Sequence, residues 1–219
     1  LKTIFTALLC YFPIQSNLAQ KKIKVMITST ADQTQQPCYI ILPRGYEKSD
    51  NVDKIPLLIS LHSWSAGLEQ AKPVLEKQAA KLGWIYVFPH FRGPNQTPAA
   101  CGRELAQQDI LDAVVWAKQN YRVDHSRVYL TGASGGGHMT MLMVSRHPEI
   151  WTAASAWVGI SDLTQWYTLH EKSRYGDMMR KSCGGAPGDS VIVDAQYRQR
   201  SPLPFLKNSE QVPLDIAAG

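Results

Sequence analysis

Arg127-Val-Tyr-Leu-Thr-Gly-Ala-Ser-Gly-Gly-Gly-His-Met-Thr-Met-Leu-Met-Val-Ser-Arg-His147 joins an apolar run, a glycine-rich turn and a helical pattern in immediate succession. Val128 to Thr131 is a short run with β-branched and aromatic members, which reads as a buried strand. Met139 to Val144 is apolar at helical spacing, and the pattern stops at His147-Pro148, where proline ends a helix. Between the two sits Gly132-Ala133-Ser134-Gly135-Gly136, a Gly-x-Ser-x-Gly turn. A strained strand-to-helix turn of this kind pushes a serine hydroxyl into the open, so Ser134 is the candidate nucleophile. The turn also places the Gly135 N–H at a helix N-terminus, where a developing oxyanion can be held.

On either side of this stretch, apolar and amphipathic segments alternate. Residues 23–28 alternate as a strand, and residues 36–43 read as its hairpin partner, edge-like because of Pro37 and Pro43. Ile55-Pro-Leu-Leu-Ile-Ser-Leu61 is the near-continuous apolar run of a strand buried on both faces. Pro73 starts a helix that ends at Leu82-Gly83, and Trp84-Ile-Tyr-Val-Phe88 is the next buried strand. Ile110, Leu111, Val114 and Val115 mark one face of a helix over about residues 104–120. Residues 152–158 give a further strand, residues 160–200 an irregular, cap-like excursion, and residues 212–218 a last strand. Strands alternating with helices predict an α/β fold, a mainly parallel, doubly wound sheet with helices on both faces. The loops that follow the strands then share one edge. That edge brings His62-Ser63-Trp64-Ser65 beside Ser134, and a second oxyanion N–H is expected there, from Trp64 first and Ser63 next. His62 is read as ordering this turn, and His138, one helical turn beyond Ser134, as pointing along the helix rather than over the hydroxyl.

The 219 residues are 44% hydrophobic and 19% charged, an ordinary globular composition with enough apolar side chains for a sizeable core. The net charge of +5 comes from scattered basic residues, which argues against a nucleic-acid binder. Lys2 followed by Ile4-Phe-Thr-Ala-Leu-Leu-Cys-Tyr-Phe12 reads as a secretory signal over residues 1–19, too short to span a bilayer, with residues 20–219 as the catalytic domain and a secreted or periplasmic location. In an exported protein two of Cys38, Cys101 and Cys183 are expected to pair, and Cys101 with Cys183, both in Gly-rich loops, is the preferred pair. Asn95-Gln96-Thr97 is a glycosylation sequon. No His, Cys, Asp and Glu cluster has metal-ligand spacing, no phosphate-binding glycine loop is present, and no cofactor is expected. Trp166, Tyr167 and Tyr175 fall in the excursion that would cover the crevice and are candidates for contact with a small-molecule, peptide or ester substrate.

The chain resembles the catalytic module of the prolyl-oligopeptidase family of serine peptidases, within the α/β-hydrolase fold. The residues that carry the resemblance are Phe91-Arg92-Gly93 with Gly102, Asp109, Val123-Asp124 and Arg127, the turn itself, Gly184-Gly185-Ala186-Pro187, Tyr197, Arg200-Ser201-Pro202 and residues 212–219. The resemblance covers roughly residues 50–219 and implies a secreted serine peptidase module that acts through an acyl-enzyme on Ser134, with a carboxylic-ester hydrolase as the alternative. With only a short β-rich segment before the module, it is nearer to stand-alone, esterase-like members that act on plant-wall or polyester substrates. In the family the acid follows the last strand and the histidine comes later, so the chain reads as a fragment with the last strand and helix missing, nearly inactive by itself. Asp162, after the strand that follows the turn, is the alternative acid, or else a helix cap. A reading of a different class is a non-catalytic hydrolase-fold protein that binds a ligand in the crevice.

Overall fold

The computed structural model describes residues 22–46 and 53–218. Among them, seven strands form one sheet: β1 (Lys22–Thr28), β2 (Gln35–Ile41), β3 (Ile55–Leu61), β4 (Ile85–Pro89), β5 (Val123–Ala133), β6 (Ala153–Trp157) and β7 (Leu214–Ala217). Their order is β1-β2-β4-β3-β5-β6-β7. The β1/β2 and β2/β4 pairs are antiparallel, and every pair from β4 through β7 is parallel. Helices α1 (Pro73–Lys81), α2 (Glu104–Asn120) and α3 (Gly135–Arg146) make the crossovers that parallel pairing requires.

The apolar strands explain how both faces are filled. In β4, Ile85 and Val87 point into a core shared with α2 and α3, while Tyr86 and Phe88 point into a second core that takes Leu75 and Ala79 of α1. A strand covered on both sides has no reason to alternate apolar with polar, and this one does not. The strand order reverses at β3: the chain steps from β3 to β4 on one side, then crosses to β5 on the other. Such a reversal leaves a crevice at the carboxyl ends of the strands, between the loops after β3 and β5.

Two expectations need correction. β2 is not an edge strand: it lies between β1 and β4, and Pro37 is accommodated because pairing with β4 begins only at Cys38. Residues 160–200 are not irregular. They form α4 (Leu163–His170), α5 (Arg174–Cys183) and α6 (Val191–Arg200), packed as a small helical unit with its own apolar cluster of Leu163, Tyr167, Met178, Met179, Val193 and Tyr197. Side chains of Asp162, Ser173 and Ser190 cap their N-termini, and Gly184 ends α5 in the left-handed region. The signal expected over residues 1–19 lies outside the described residues. No helix among the described residues is long and apolar enough to cross a membrane.

Candidate active site

Ser134 sits at the hinge between β5 and α3 with φ 57° and ψ −118°, a conformation that a non-glycine residue adopts only at a cost of order 1–3 kcal/mol. The strain is held by hydrogen bonds on both sides. The Ser134 N–H donates to Trp157 O of β6 (2.8 Å), and the His138 N–H donates to Ser134 O (2.9 Å). The glycines are required by contact. A Cβ on Gly132 would lie 2.4 Å from the Gly136 carbonyl group, so strand and helix could not fold back on one another. A Cβ on Gly135 would lie 2.3 Å from the Trp64 nitrogen. The loop after β3 is therefore pressed against the first turn of α3, with the Trp64 amide next to Gly135.

The rest of that loop is fixed by hydrogen bonds. The Ser63 N–H donates to Gln70 Oε1 (2.9 Å), and the Gln70 amide donates to Ser63 Oγ (3.1 Å). That engagement takes the Ser63 N–H away from the crevice. The Trp64 N–H has no acceptor among the described residues, while its carbonyl accepts from the Asn95 N–H (2.9 Å). Gln70 was not read from the sequence, since nothing local marks it. Asn95 is 4% exposed and its Oδ1 accepts from the Cys101 N–H (2.9 Å), so the sequon there is structural in the folded chain.

The histidines nearest the turn are locked elsewhere. His62 is buried, stacks on Phe91 (centroids 3.8 Å apart), and places Nε2 2.7 Å from His90 O and Nδ1 3.0 Å from Ser63 O. His138 is fully buried, with Nε2 donating to Arg200 O (2.7 Å) and its ring edge against Trp64. Burial pushes both imidazoles down to about 4, against the two carbonyl contacts of His62 and the one of His138 that favour the cation. Both are neutral near pH 7 and neither is aimed at Ser134.

Asp162 is the N-cap of α4: its Oδ1 accepts from the N–H groups of Thr164 (2.8 Å) and Gln165 (3.1 Å). The structure gives it the capping role weighed for it. Of the three candidate substrate aromatics, Tyr167 is buried inside the helical unit, its hydroxyl accepting from Arg180 (2.7 Å) and its ring packed edge-on against Tyr197. Its side faces the interior, which a short helix of unknown phase does not reveal in sequence. Trp166 and Tyr175 remain partly exposed and form a continuous aromatic wall with Trp64: Trp64 to Trp166 is 4.6 Å and Trp166 to Tyr175 is 5.2 Å between centroids. On the other side of the turn lies a mainly apolar cavity of about 370 Å³, lined by Ser60, Leu75, Thr131, Ala133, Trp157 and Val158 among others.

Two arginines anchor the loop after β4. Arg92, at φ 73° in the loop after β4, donates Nε and Nη2 to both oxygens of Asp109 (2.7 and 2.9 Å) and also binds Asp32 and Ser29. The two carboxylates hold its guanidinium charged, and the guanidinium in turn, with the Thr34 hydroxyl, holds the Asp32 carboxyl well below the usual carboxylate range. Arg200 is 3% exposed and donates to the carbonyls of Pro98, Ala100 and Cys101. Cys101 and Cys183 are free thiols in the structure, buried in the same apolar cluster.

The profile of the prolyl oligopeptidase family matches residues 74–216. The chain belongs to that family. Its members are serine hydrolases, and Ser134 stands at the turn where a serine nucleophile is expected. The chain is similar to an acetylxylan esterase A of Emericella nidulans, 39% identical over 171 residues, covering 74% of this chain and 52% of the relative. It is similar to a feruloyl esterase B of Neurospora crassa, 30% identical over 125 residues, covering 49% of this chain and 40% of the relative. Among solved structures it is similar to the Pyrococcus horikoshii acylaminoacyl peptidase, with a TM-score of 0.71 at 20% identity over 90% of this chain and 31% of that one. That likeness shows the α/β-hydrolase fold alone. The chain spans about half the length, or less, of the curated relatives it matches.

Proposed function

We propose that this chain carries the nucleophile and oxyanion site of a serine hydrolase that cleaves carboxylic esters. Ser134 Oγ attacks the ester carbonyl, the tetrahedral oxyanion takes the Gly135 and Trp64 N–H groups, and the alcohol leaves an acyl-Ser134 that water hydrolyses. The observation that carries this reading is the contact of the Trp64 amide with Gly135 beside a strained Ser134. A histidine must deprotonate Ser134, and neither His62 nor His138, each held on backbone carbonyls, is aimed to do so. Trp166 and Tyr175 line the path to the serine and stack on the substrate. Esters are favoured over peptides because the relatives with the greater identity are named as acetylxylan and feruloyl esterases. A peptide substrate is the second reading, favoured by the family match. The apolar run over residues 4–12 supports export.

The test uses protein expressed from its complete reading frame. Hydrolysis of p-nitrophenyl acetate and methyl ferulate is compared with that of an alanyl p-nitroanilide, in wild type and Ser134→Ala. Ester cleavage is expected to dominate and to fall by at least about 10⁴-fold in the variant. Faster anilide cleavage would select the peptidase reading. Ester cleavage that survives Ser134→Ala would remove Ser134 as the nucleophile.

A further inference from the structure

Cys101 and Cys183 lie 82 positions apart in the chain, yet the fold brings them into one buried cluster with Trp64, Met179 and Tyr197. Arg200 links the two segments: its Nη1 donates to the carbonyls of Ala100 (2.7 Å) and Cys101 (3.2 Å), and it lines one cavity together with Cys183. Cys101 is held at φ 55°, inside the loop whose Asn95 braces Trp64, and Cys183 is the last residue of α5, the helix that carries Tyr175. Cys183, though buried, borders an open cavity of about 470 Å³ lined by Pro98, Ala99, Leu105, Ile192 and Gln196 among others. Cys38 is in a different position: it is 1% exposed in β2 and packs in the main core.

We propose that Cys101 and Cys183 are a disulfide-forming pair, closed by thiol–disulfide exchange, that fastens the loop behind Trp64 to the end of α5. With oxidised glutathione as the oxidant, the Cys183 thiolate attacks one sulfur of the reagent and expels a glutathione thiolate. The Cys101 thiolate then attacks the Cys183 sulfur of the mixed disulfide and expels the second glutathione. The two protein thiol protons end on the two glutathione thiolates, which also carry the two electrons. Burial pushes the Cys183 thiol up to about 11 and Cys101 higher still, the latter reinforced by Cys183 itself. Exchange in the folded protein is therefore slow near neutrality and quickens about tenfold per pH unit until the thiols ionise.

The experiment equilibrates reduced protein with oxidised and reduced glutathione, both folded and after refolding from urea, then alkylates free thiols in denaturant and maps tryptic peptides without reduction. Cys38, Cys101 and Cys183 fall in separate peptides, residues 25–44, 93–103 and 182–198. The expected result is a linked 93–103/182–198 pair that dithiothreitol separates, with residues 25–44 alkylated. The oxidised wild type is expected to melt roughly 5–10 °C above the reduced form, and Cys183→Ser to melt alike with and without dithiothreitol. Alkylation of all three peptides after both treatments, or a link that uses Cys38, would overturn the proposal. Because oxidised and reduced wild type are compared directly, the outcome stands even if a cysteine variant fails to fold.

Discussion

The Trp64 amide nitrogen lies where a methyl group on Gly135 would have to go: a Cβ built on Gly135 falls 2.3 Å from that nitrogen and 2.4 Å from the Trp64 Cα. The loop after β3 and the first turn of α3 are thus in direct backbone contact, and glycine is the one residue that permits it. Gly135→Ala must push Trp64 away. The expected result is a fall of about 10²–10³-fold in turnover of p-nitrophenyl acetate, the loss that follows removal of one oxyanion donor. Circular dichroism and the urea midpoint report whether the fold survives. Turnover within about threefold of wild type, a loss too small for a displaced oxyanion donor, would show that the Trp64 amide is not used.

Arg92 and Asp109 make the second relationship open to test. The Asp109 side chain is 1% exposed, and its bidentate contact with Arg92 is supplemented by the Ser29 hydroxyl (2.7 Å). Arg92→Met leaves that carboxylate buried with one neutral partner, a situation that costs about 3–5 kcal/mol. Urea unfolding measures it. The double variant Arg92→Met/Asp109→Leu removes both charges and is expected to recover a large part of the loss. If the single variant costs less than about 1 kcal/mol, the pair is not what holds the loop to α2.

Asp162 separates a cap from a catalytic acid. Asp162→Ala removes two hydrogen bonds at the start of α4, and the expected penalty is about 1 kcal/mol with turnover unchanged. Loss of a triad acid would instead lower turnover by about 10⁴-fold at little cost in stability. Measuring kcat and the urea midpoint on the same preparation decides between the two.

What could be read from sequence was local or periodic. The Gly132 to Gly136 turn, the ends of α1 and α2, and the buried run of β4 all declare themselves within a few residues. What could not be read was set by partners far along the chain. β2 is internal because β4 pairs with its far side, and nothing in residues 35–41 announces β4. Helices α4, α5 and α6 have eight to ten residues each, mixed polar faces and loops between them, so their periodicity is too short to stand out. Their capping residues were the available signal: Asp162, Ser173 and Ser190 each stand immediately before a helical run. Gln70, which removes the Ser63 N–H from the crevice, and Ser29 and Asp32, which complete the Arg92 network, carry no local mark at all.

The two buried imidazoles make stability depend on pH in a defined window. His62 and His138 are held at about 4 in the folded chain, and an unfolded chain returns them to about 6.5. Between these values the unfolded state binds protons that the folded state refuses, so stability falls as pH drops from 6.5 to 4 and is fully present above 6.5. The size is on the order of 3 kcal/mol for each histidine, since a tenfold change in proton affinity between the two states is worth about 1.4 kcal/mol. His90 and His147 are half-buried, displaced in the same direction by burial, and add to the slope. Below that window Asp124, held at about 2 by Ser126 and Arg127, gives a further loss as it is protonated between its ordinary value and 2. His138→Gln keeps a side-chain N–H for the Arg200 carbonyl without a group that titrates. Urea midpoints taken from about pH 7 to about pH 4.5 are expected to fall steeply for wild type and less steeply for His138→Gln. Equal midpoints for wild type across that range would mean that the imidazoles are not buried neutral, and an unchanged slope in the variant would place the acid sensitivity in the other histidines.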